Sequence, residues 1–159
     1  MIQMTSKTAL LAAALTCCLL LPVAARADFS GTVVGVIDGD TVVVLSDHKS
    51  IRVRLSEIDA PERSQPFGVR AKQALSELVY RKQVAVIERG QDKYGRVIGT
   101  LRADSHNVNK EMVMRGFAWA YISYAKDPEI LGAEKIARAE RRGLWADPQA
   151  EPPWLYRRR

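Results

Sequence analysis

Cysteine is nearly absent from this sequence. The chain has only Cys17 and Cys18, and both lie in an N-terminal apolar run, Ala9–Leu21. The run follows a basic residue and precedes Ala25-Arg26-Ala27, a small-x-small cleavage pattern. We therefore predict a secretory signal peptide over residues 1–27 and an exported protein, periplasmic or secreted. After cleavage the mature chain has neither a thiol nor a disulfide, so its stability depends on an ordinary hydrophobic core.

The sequence also lacks any apolar run of the about 20 residues that a membrane-spanning helix requires. Ala9–Leu21 is shorter, and nothing later in the chain is comparable, so we expect no membrane association after signal cleavage. A lipidated cysteine within the run is the alternative interpretation. Thr16 and Cys17 are poor residues before a lipidated cysteine, and the apolar run continues past them, which disfavours a lipoprotein.

Histidine is scarce as well. The two histidines, His48 and His106, lie in polar segments where solvated side chains are expected, and no cluster typical of a transition-metal site is present.

Linkers, repeats and low-complexity blocks are missing, so residues 28–159 fit one domain. The formal charge of +6 loses Lys7 and Arg26 with the signal peptide, which leaves +4. A basic exported domain favours polyanions, although modest positive charge also serves solubility.

The first half of the mature chain has the pattern of β-strands. Five short stretches are β-branched, continuously apolar or alternating: Gly31–Ile37, Thr41–Leu45, Ile51–Leu55, Val84–Glu88 and Val97–Leu101. The first three read as antiparallel, with turn-forming residues at Ser46–Lys49. Apolar residues at helical spacing over Gly68–Arg81 predict a helix between the third and fourth strands.

The last third of the chain is predicted to be helical. Asn107 or Asn109 can cap a short helix that ends at Gly116. Asp127-Pro128 is a typical start for a further helix, which ends at Gly143. Five short strands interrupted and followed by helices predict a mixed α+β protein, an OB-fold five-stranded β-barrel with about three packed helices.

Two acidic residues flank Gly39 in the stretch VIDGDTVVVL. Asp38-Gly39 alone is typical of a hairpin turn. Asp40 is different, because it begins an apolar strand, where desolvation penalises an unpaired carboxylate. We infer that Asp40 needs a cation nearby.

A second acidic cluster, Asp59 and Glu62, follows the third strand. Strands two and three form a hairpin, so the start of one lies beside the end of the other, and Asp40 and Asp59 should be neighbours. Two carboxylates with a backbone carbonyl and water form an oxygen-only site that suits a hard cation, calcium above all. Arg54 and Arg96 carry guanidinium groups that match phosphate oxygens. Together these groups are the components of metal-assisted phosphodiester hydrolysis.

Several segments, in this order, resemble the staphylococcal nuclease (thermonuclease) family: VVGVIDGDTVVV, IRVRLSEIDAPE, RGQDKYGRVIG, VNKEMVMRGFAWAY and RAERRGLW. They cover nearly the whole mature chain. The loop RSQPFG and the tail PPWLYRRR resemble the exported or plasmid-borne bacterial branch of the family more than the staphylococcal enzyme itself. The resemblance implies a nuclease domain over residues 28–147, with an OB-fold, and a basic C-terminal tail over residues 148–159.

The same resemblance implies roles for the acidic residues. Asp40 and Asp59 correspond to the family's calcium ligands, completed by the main-chain carbonyl of Ala60, where the family's archetype has threonine. Because that contact is made through the carbonyl, alanine should preserve it. Glu62 corresponds to the candidate general base that acts on the attacking water.

Basic and aromatic residues receive roles in the same way. Arg54 and Arg96 correspond to the two phosphate-binding arginines. Strand alternation does not separate Arg52 from Arg54, which face the same way, so the choice of Arg54 rests on its distance before the second aspartate in the family pattern. Lys93 aligns with a substrate-contacting lysine, and Tyr121 or Tyr124, with Tyr121 preferred, should pack near the nucleotide.

The three tryptophans are expected in the core or in the C-terminal tail. Trp119 is expected in the core or against a helix, with base stacking as the alternative, and Trp145 is expected in the core. Trp154 and the three arginines Arg157–Arg159 form a basic aromatic tail. We expect a flexible end there, with accessory binding of nucleic-acid phosphates as the alternative.

These observations predict an exported calcium-dependent nuclease that cuts DNA and RNA with little sequence preference and acts as a monomer. The resemblance to the family implies that the bond on the 5′-oxygen side is broken, which leaves 3′-phosphate ends. The alternative is a non-catalytic OB-fold nucleic-acid-binding or interaction module. Such a module has no need of Asp40, Asp59 and Glu62 together. An adaptor of an export or conjugation apparatus is a third possible class of protein, and no feature of the sequence supports it.

Overall fold

A computed structural model describes residues 28–159, so the predicted signal peptide lies outside the described residues. The elements are β1 Phe29–Asp38, β2 Thr41–Ser46, β3 Lys49–Leu55, β4 Ile58–Asp59, α1 Gly68–Val79, β5 Gln83–Gln91, β6 Val97–Ala103, β7 His106–Asn107, α2 Val108–Met114, β8 Trp119–Ala120, α3 Pro128–Ala139, a 3-10 turn Gly143–Ala146, and α4 Pro153–Tyr156. Within this range no helix is long and apolar enough to cross a membrane.

Five strands close into a barrel. The sheet order is β3-β2-β1-β5-β6-β7, and all of these neighbours are antiparallel, while a parallel pairing of β3 with β6 closes the cylinder. Register shifts in β1, between Val33 and Gly35 and between Val36 and Asp38, bend this long strand so that it can pair with both β2 and β5. The predicted OB-fold and mixed α+β class are confirmed.

Alternation along the strands fills the barrel with aliphatic side chains. Val33, Val42, Val44, Val53 and Leu101 are fully buried inside it. The buried faces of α1 and α2 pack onto the same core, which therefore joins the helices to the barrel.

The predicted helices are present, with different ends. α1 stops at Val79, because Arg81 adopts a left-handed conformation with φ 61°. α3 is capped by Asp127 as expected but ends at Ala139, before the left-handed Arg141 and Gly143. Of the two asparagines proposed to cap α2, Asn107 accepts the capping hydrogen bond from the Lys110 N–H.

The C-terminal tail differs from the flexible end that the sequence suggested. α4 lies against the domain, where the Trp154 ring stacks on Tyr121 with 5.3 Å between centroids and 12° between planes. The Tyr156 hydroxyl donates to the Ser64 carbonyl at 3.3 Å. Apolar and aromatic contacts to the body of the domain thus hold this segment in place.

Candidate active site

The β2–β3 hairpin brings Asp40 next to Arg54. Thr41, the first residue of β2, pairs with Arg54 near the end of β3, and the Leu55 N–H donates to the Asp40 carbonyl at 2.8 Å. Arg52 pairs with Val43, farther from the acidic turn, and is exposed. Register therefore favours Arg54 over Arg52 as the arginine at the acidic cluster.

Asp40 is buried, with 6% of its surface exposed. Its Oδ2 accepts from the Ala60 N–H at 2.9 Å and lies 2.9 Å from Arg54 Nη1, while its Oδ1 accepts from the Thr41 hydroxyl at 3.0 Å. Burial raises the pKa of Asp40 to about 7 against the opposing charge of Arg54, and the neighbouring Asp38 raises it further. A carboxylate in this environment gains from an added cation.

Arg54 joins Asp40 to Asp59. Its Nη2 lies 2.8 Å from Asp59 Oδ1, and its Nη1 also donates to the carbonyls of Leu55 and Ile58, at 3.1 and 3.0 Å. The Asp59 side chain is 1% exposed and sits in β4, which pairs with β8. One guanidinium thus spans the two aspartates, so they are close neighbours as expected from the hairpin.

Glu62 lies at the mouth of the same site, with a side chain 38% exposed. A tight turn holds it, in which the Gln65 N–H donates to the Glu62 carbonyl at 2.9 Å and Gln65 Oε1 accepts from the Glu62 N–H at 3.2 Å. Gly68 approaches this turn so closely that a Cβ there would lie 1.8 Å from the Glu62 carbonyl oxygen. A glycine at the start of α1 is therefore required for the position of Glu62.

Arg96 enters from the β5–β6 hairpin. Its Nε lies 2.7 Å from Asp92 Oδ2, and Asp92 Oδ1 accepts from the N–H groups of Tyr94 and Arg96 at 2.9 and 3.0 Å. Desolvation acts to raise the pKa of Asp92, but these hydrogen bonds outweigh it and lower the pKa. Asp92 therefore stays ionised and holds the turn and the arginine in one arrangement.

An open cleft of about 1170 Å³ connects these groups. All candidate residues from the sequence line it: Asp40, Arg54, Asp59, Ala60, Glu62, Lys93, Arg96, Tyr121 and Tyr124. Elements distant in the chain thus place carboxylates, guanidinium groups and phenol rings around one open cleft.

The two tyrosines differ in environment. Their rings are 4.8 Å apart, but Tyr121 is half-buried against Trp154, whereas Tyr124 is 63% exposed. Trp119 is 6% exposed and packs edge-on against Trp145 at 4.2 Å. The core position predicted for Trp119 and Trp145 is thus observed, which leaves Trp119 unsuited to stack on a base.

The sequence reasoning assigned no role to Tyr94 and placed Arg157 only in a basic tail, but both residues line the cleft. Tyr94 is 71% exposed beside Lys93, whose ammonium lies 5.1 Å from the ring centre. Tyr94 lies between Lys93 and Arg96 in the sequence, and this position could have identified it as a candidate cleft residue. Arg157 reaches Asp59 and Glu62 from the C-terminal tail, and its hydrogen bond with Asp59 is the main cause that raises its pKa, so it stays cationic. Nothing in the local sequence signals that contact.

The donor set suits a weakly held hard cation. Among residues 28–159, no group of three or more histidine, cysteine or acidic side chains is placed to hold a metal. Asp40 and Asp59 supply two carboxylates, and the main chain at Ala60 lies beside them because the Ala60 N–H donates to Asp40. Oxygen donors from two carboxylates and a main-chain carbonyl match calcium rather than a transition metal.

The family model described as "Staphylococcal nuclease homologue" matches residues 52–147. The chain belongs to the staphylococcal nuclease family. A micrococcal nuclease of Shigella flexneri is 46% identical over 94% of this chain and 92% of its own length. An uncharacterized endonuclease of Haemophilus influenzae is 47% identical over 79% of this chain and 71% of its own length. An uncharacterized endonuclease of Escherichia coli is 43% identical over 84% of this chain and 88% of its own length. The predicted membership of the staphylococcal nuclease family, with its phosphodiesterase class, is confirmed.

Proposed function

We propose that this protein is an exported calcium-dependent nuclease that hydrolyses phosphodiester bonds of DNA and RNA with low sequence specificity and leaves 3′-phosphate ends. One observation carries the proposal. Two buried aspartates, bridged by a single arginine, lie at the floor of an open cleft that also presents Glu62 and Arg96. Relatives named as nucleases, at 43–47% identity, support the same conclusion.

Asp40, Asp59 and the Ala60 carbonyl would hold calcium. Bound there, the ion would supply positive charge beside the phosphate and offset the charge that develops on it. With only two carboxylates, the site should bind calcium weakly, on the order of 10⁻⁴ to 10⁻³ M, as extracellular modules do. That range suits a protein that acts after export.

The chain's own residues account for the remaining chemistry. Glu62 is placed at the cleft mouth, where its carboxylate can accept a proton from a water molecule that attacks phosphorus in line. Arg54 and Arg96 donate hydrogen bonds to the non-bridging phosphate oxygens, whose negative charge grows in the transition state. The bond between phosphorus and the 5′ oxygen then breaks, and the 5′ oxygen takes up a proton from solvent and leaves as a hydroxyl. The phosphate stays on the 3′ end.

Contacts along the cleft support the proposed low sequence preference. Lys93 is exposed at the cleft and can pair with a neighbouring phosphate, while Tyr121 and Tyr124 offer ring faces to a sugar or base. Phosphate contacts and ring stacking carry little sequence information. Because stacking requires an unpaired base, single-stranded or locally opened substrates should be cut best.

The test is cleavage of denatured DNA by the mature protein in calcium, in chelator, and as Glu62→Gln in calcium. We expect chelator to abolish cleavage and Glu62→Gln to lose about 10² to 10⁴-fold in rate, as removal of a general base does. Nucleic-acid binding by the variant should persist. Glu77→Gln is the matched control, because Glu77 is exposed on α1, away from the cleft residues, and accepts a hydrogen bond from Gln73.

Product ends can be read in the same experiment. Labelled fragments should resist extension by a polymerase until a phosphatase removes their 3′-phosphate. Binding without cleavage in calcium would instead favour the non-catalytic module, and fragments with free 3′-hydroxyl ends would contradict the proposed bond cleavage.

A further inference from the structure

The C-terminal segment crosses back over the active-site rim. We call residues 151–159 the C-terminal strap. Trp154 stacks on Tyr121 and packs edge-on against Trp119 at 5.7 Å. Gln65 Nε2 donates to the Glu151 carbonyl at 2.6 Å, and Arg159 pairs with the Glu151 side chain at 2.9 Å. Glu151 and Trp154 therefore anchor the strap to the domain ahead of the residue that it presents to the site, and the Arg159–Glu151 pair links the two ends of the strap.

That residue is Arg157, whose guanidinium sits on two acids at once. Nη2 lies 2.7 Å from Asp59 Oδ2 and Nη1 lies 3.2 Å from Asp59 Oδ1, which together form a bidentate pair. Nη1 also lies 2.6 Å from Glu62 Oε1. One positive charge thus covers a residue proposed to hold calcium and the residue proposed to act on water.

We propose that Arg157 is an internal competitor for the cation site, a guanidinium that occupies Asp59 and Glu62 until calcium displaces it. The inference rests on the proposed function, because it assumes that Asp59 takes part in calcium binding. It adds a regulatory contact from a segment that lies outside the residues matched by the family model.

The competition follows from the oxygens of Asp59. Arg54 binds Oδ1, and Arg157 binds both Oδ1 and Oδ2, so Asp59 presents no oxygen to a cation that is not already paired with a guanidinium. A divalent ion at hydrogen-bond distance from Arg157 would meet strong repulsion. The two are therefore alternatives on Asp59, and the departure of Arg157 also releases Glu62.

The contact is weak enough to be displaced. The Arg157 side chain is 41% exposed, so water and salt screen its charge. Arg54, at 16% exposed, is held in addition by two main-chain carbonyls. Calcium should therefore exchange with Arg157 and leave Arg54 in place.

The test is calorimetric binding of calcium alone to the mature protein at low salt, for the wild type, Arg157→Gln and Arg158→Gln. Both variants remove one charge from the strap, but only Arg157 contacts the acids, and Arg158 is exposed. We expect Arg157→Gln to tighten calcium binding about threefold to tenfold, which is about 0.7 to 1.4 kcal/mol at 1.4 kcal/mol per tenfold. Arg158→Gln should change it less than about twofold, through screened long-range charge alone.

Arg157→Lys keeps the charge but replaces the planar fork with a single ammonium, so an affinity between those of the wild type and Arg157→Gln is expected. It also serves if the glutamine variant folds poorly. Unchanged or weaker calcium binding in both variants would overturn the inference and would mean that Arg157 organises the acids instead. Cleavage by the wild type in calcium separates the two proposals, because it tests the nuclease activity whatever the Arg157 variants show.

Discussion

A buried asparagine beside the site should be a large contributor to the stability of this fold. Asn109 is fully buried in α2, where its Nδ2 donates to the carbonyls of Ser56 and Gly99 at 2.9 and 3.2 Å. Its Oδ1 accepts from the Leu101 N–H at 3.0 Å. The residue therefore ties α2 to the junction of β3 and β6, where the barrel closes.

Asn109→Ala leaves the Leu101 N–H and the Ser56 carbonyl without their buried partner. Each buried polar group left unpaired costs about 1–3 kcal/mol, so the loss in the free energy of unfolding should be about 4 kcal/mol. The measurement is urea unfolding followed by tryptophan fluorescence. Asn107→Ala is the matched control, because that side chain only caps α2 and should cost about 1 kcal/mol.

A loss below about 1 kcal/mol for Asn109→Ala would refute this reasoning. It would mean that the barrel closes equally well without the asparagine, with water or a shifted main chain in its place. A loss equal to that of Asn107→Ala would likewise assign both residues a local role in the helix.

Two further predictions concern residues that support the site without being proposed ligands or catalytic groups. Asp92→Asn removes the ion pair that holds the neighbouring arginine, so kcat/KM should fall about tenfold, the factor for about 1.4 kcal/mol, while urea unfolding changes little. Gly39→Ala places a Cβ 2.7 Å from those of Ala60 and Ala71, so it should destabilise by about 1–3 kcal/mol and weaken calcium binding in calorimetry. Gly132→Ala, on α3 with nothing within 4 Å, is the control and should not destabilise.

Local patterns in the sequence were sufficient for the order of the elements. Alternation of apolar residues located the strands, and the Asp127-Pro128 start of α3 was correct because a cap depends on adjacent residues only. Helix ends were less accurate. The end of α3 depends on left-handed residues such as Arg141, with φ 52°, a conformation that residues other than glycine rarely adopt by their own preference.

Resemblance to the family supplied the candidate residues, and the hairpin argument supplied one spatial relation. Asp40 lies beside the end of β3 because strands that follow a tight turn must be antiparallel neighbours. The placement of Lys93 and Arg96 in the same cleft required the parallel pairing of β3 with β6, which joins segments separated by β4, α1 and β5. No local pattern in the sequence indicates that pairing.

The sequence by itself determined the strand and helix pattern, the acidic turn and the family. Only the tertiary structure decided that the buried Asn109 links α2 to the barrel and that Arg157 covers Asp59 and Glu62. Arg157 is 95 residues from Glu62, so their contact depends on how the closed barrel and the anchored strap bring distant segments together. Periodicity and capping report interactions between near neighbours, whereas such contacts arise only when the whole chain is packed.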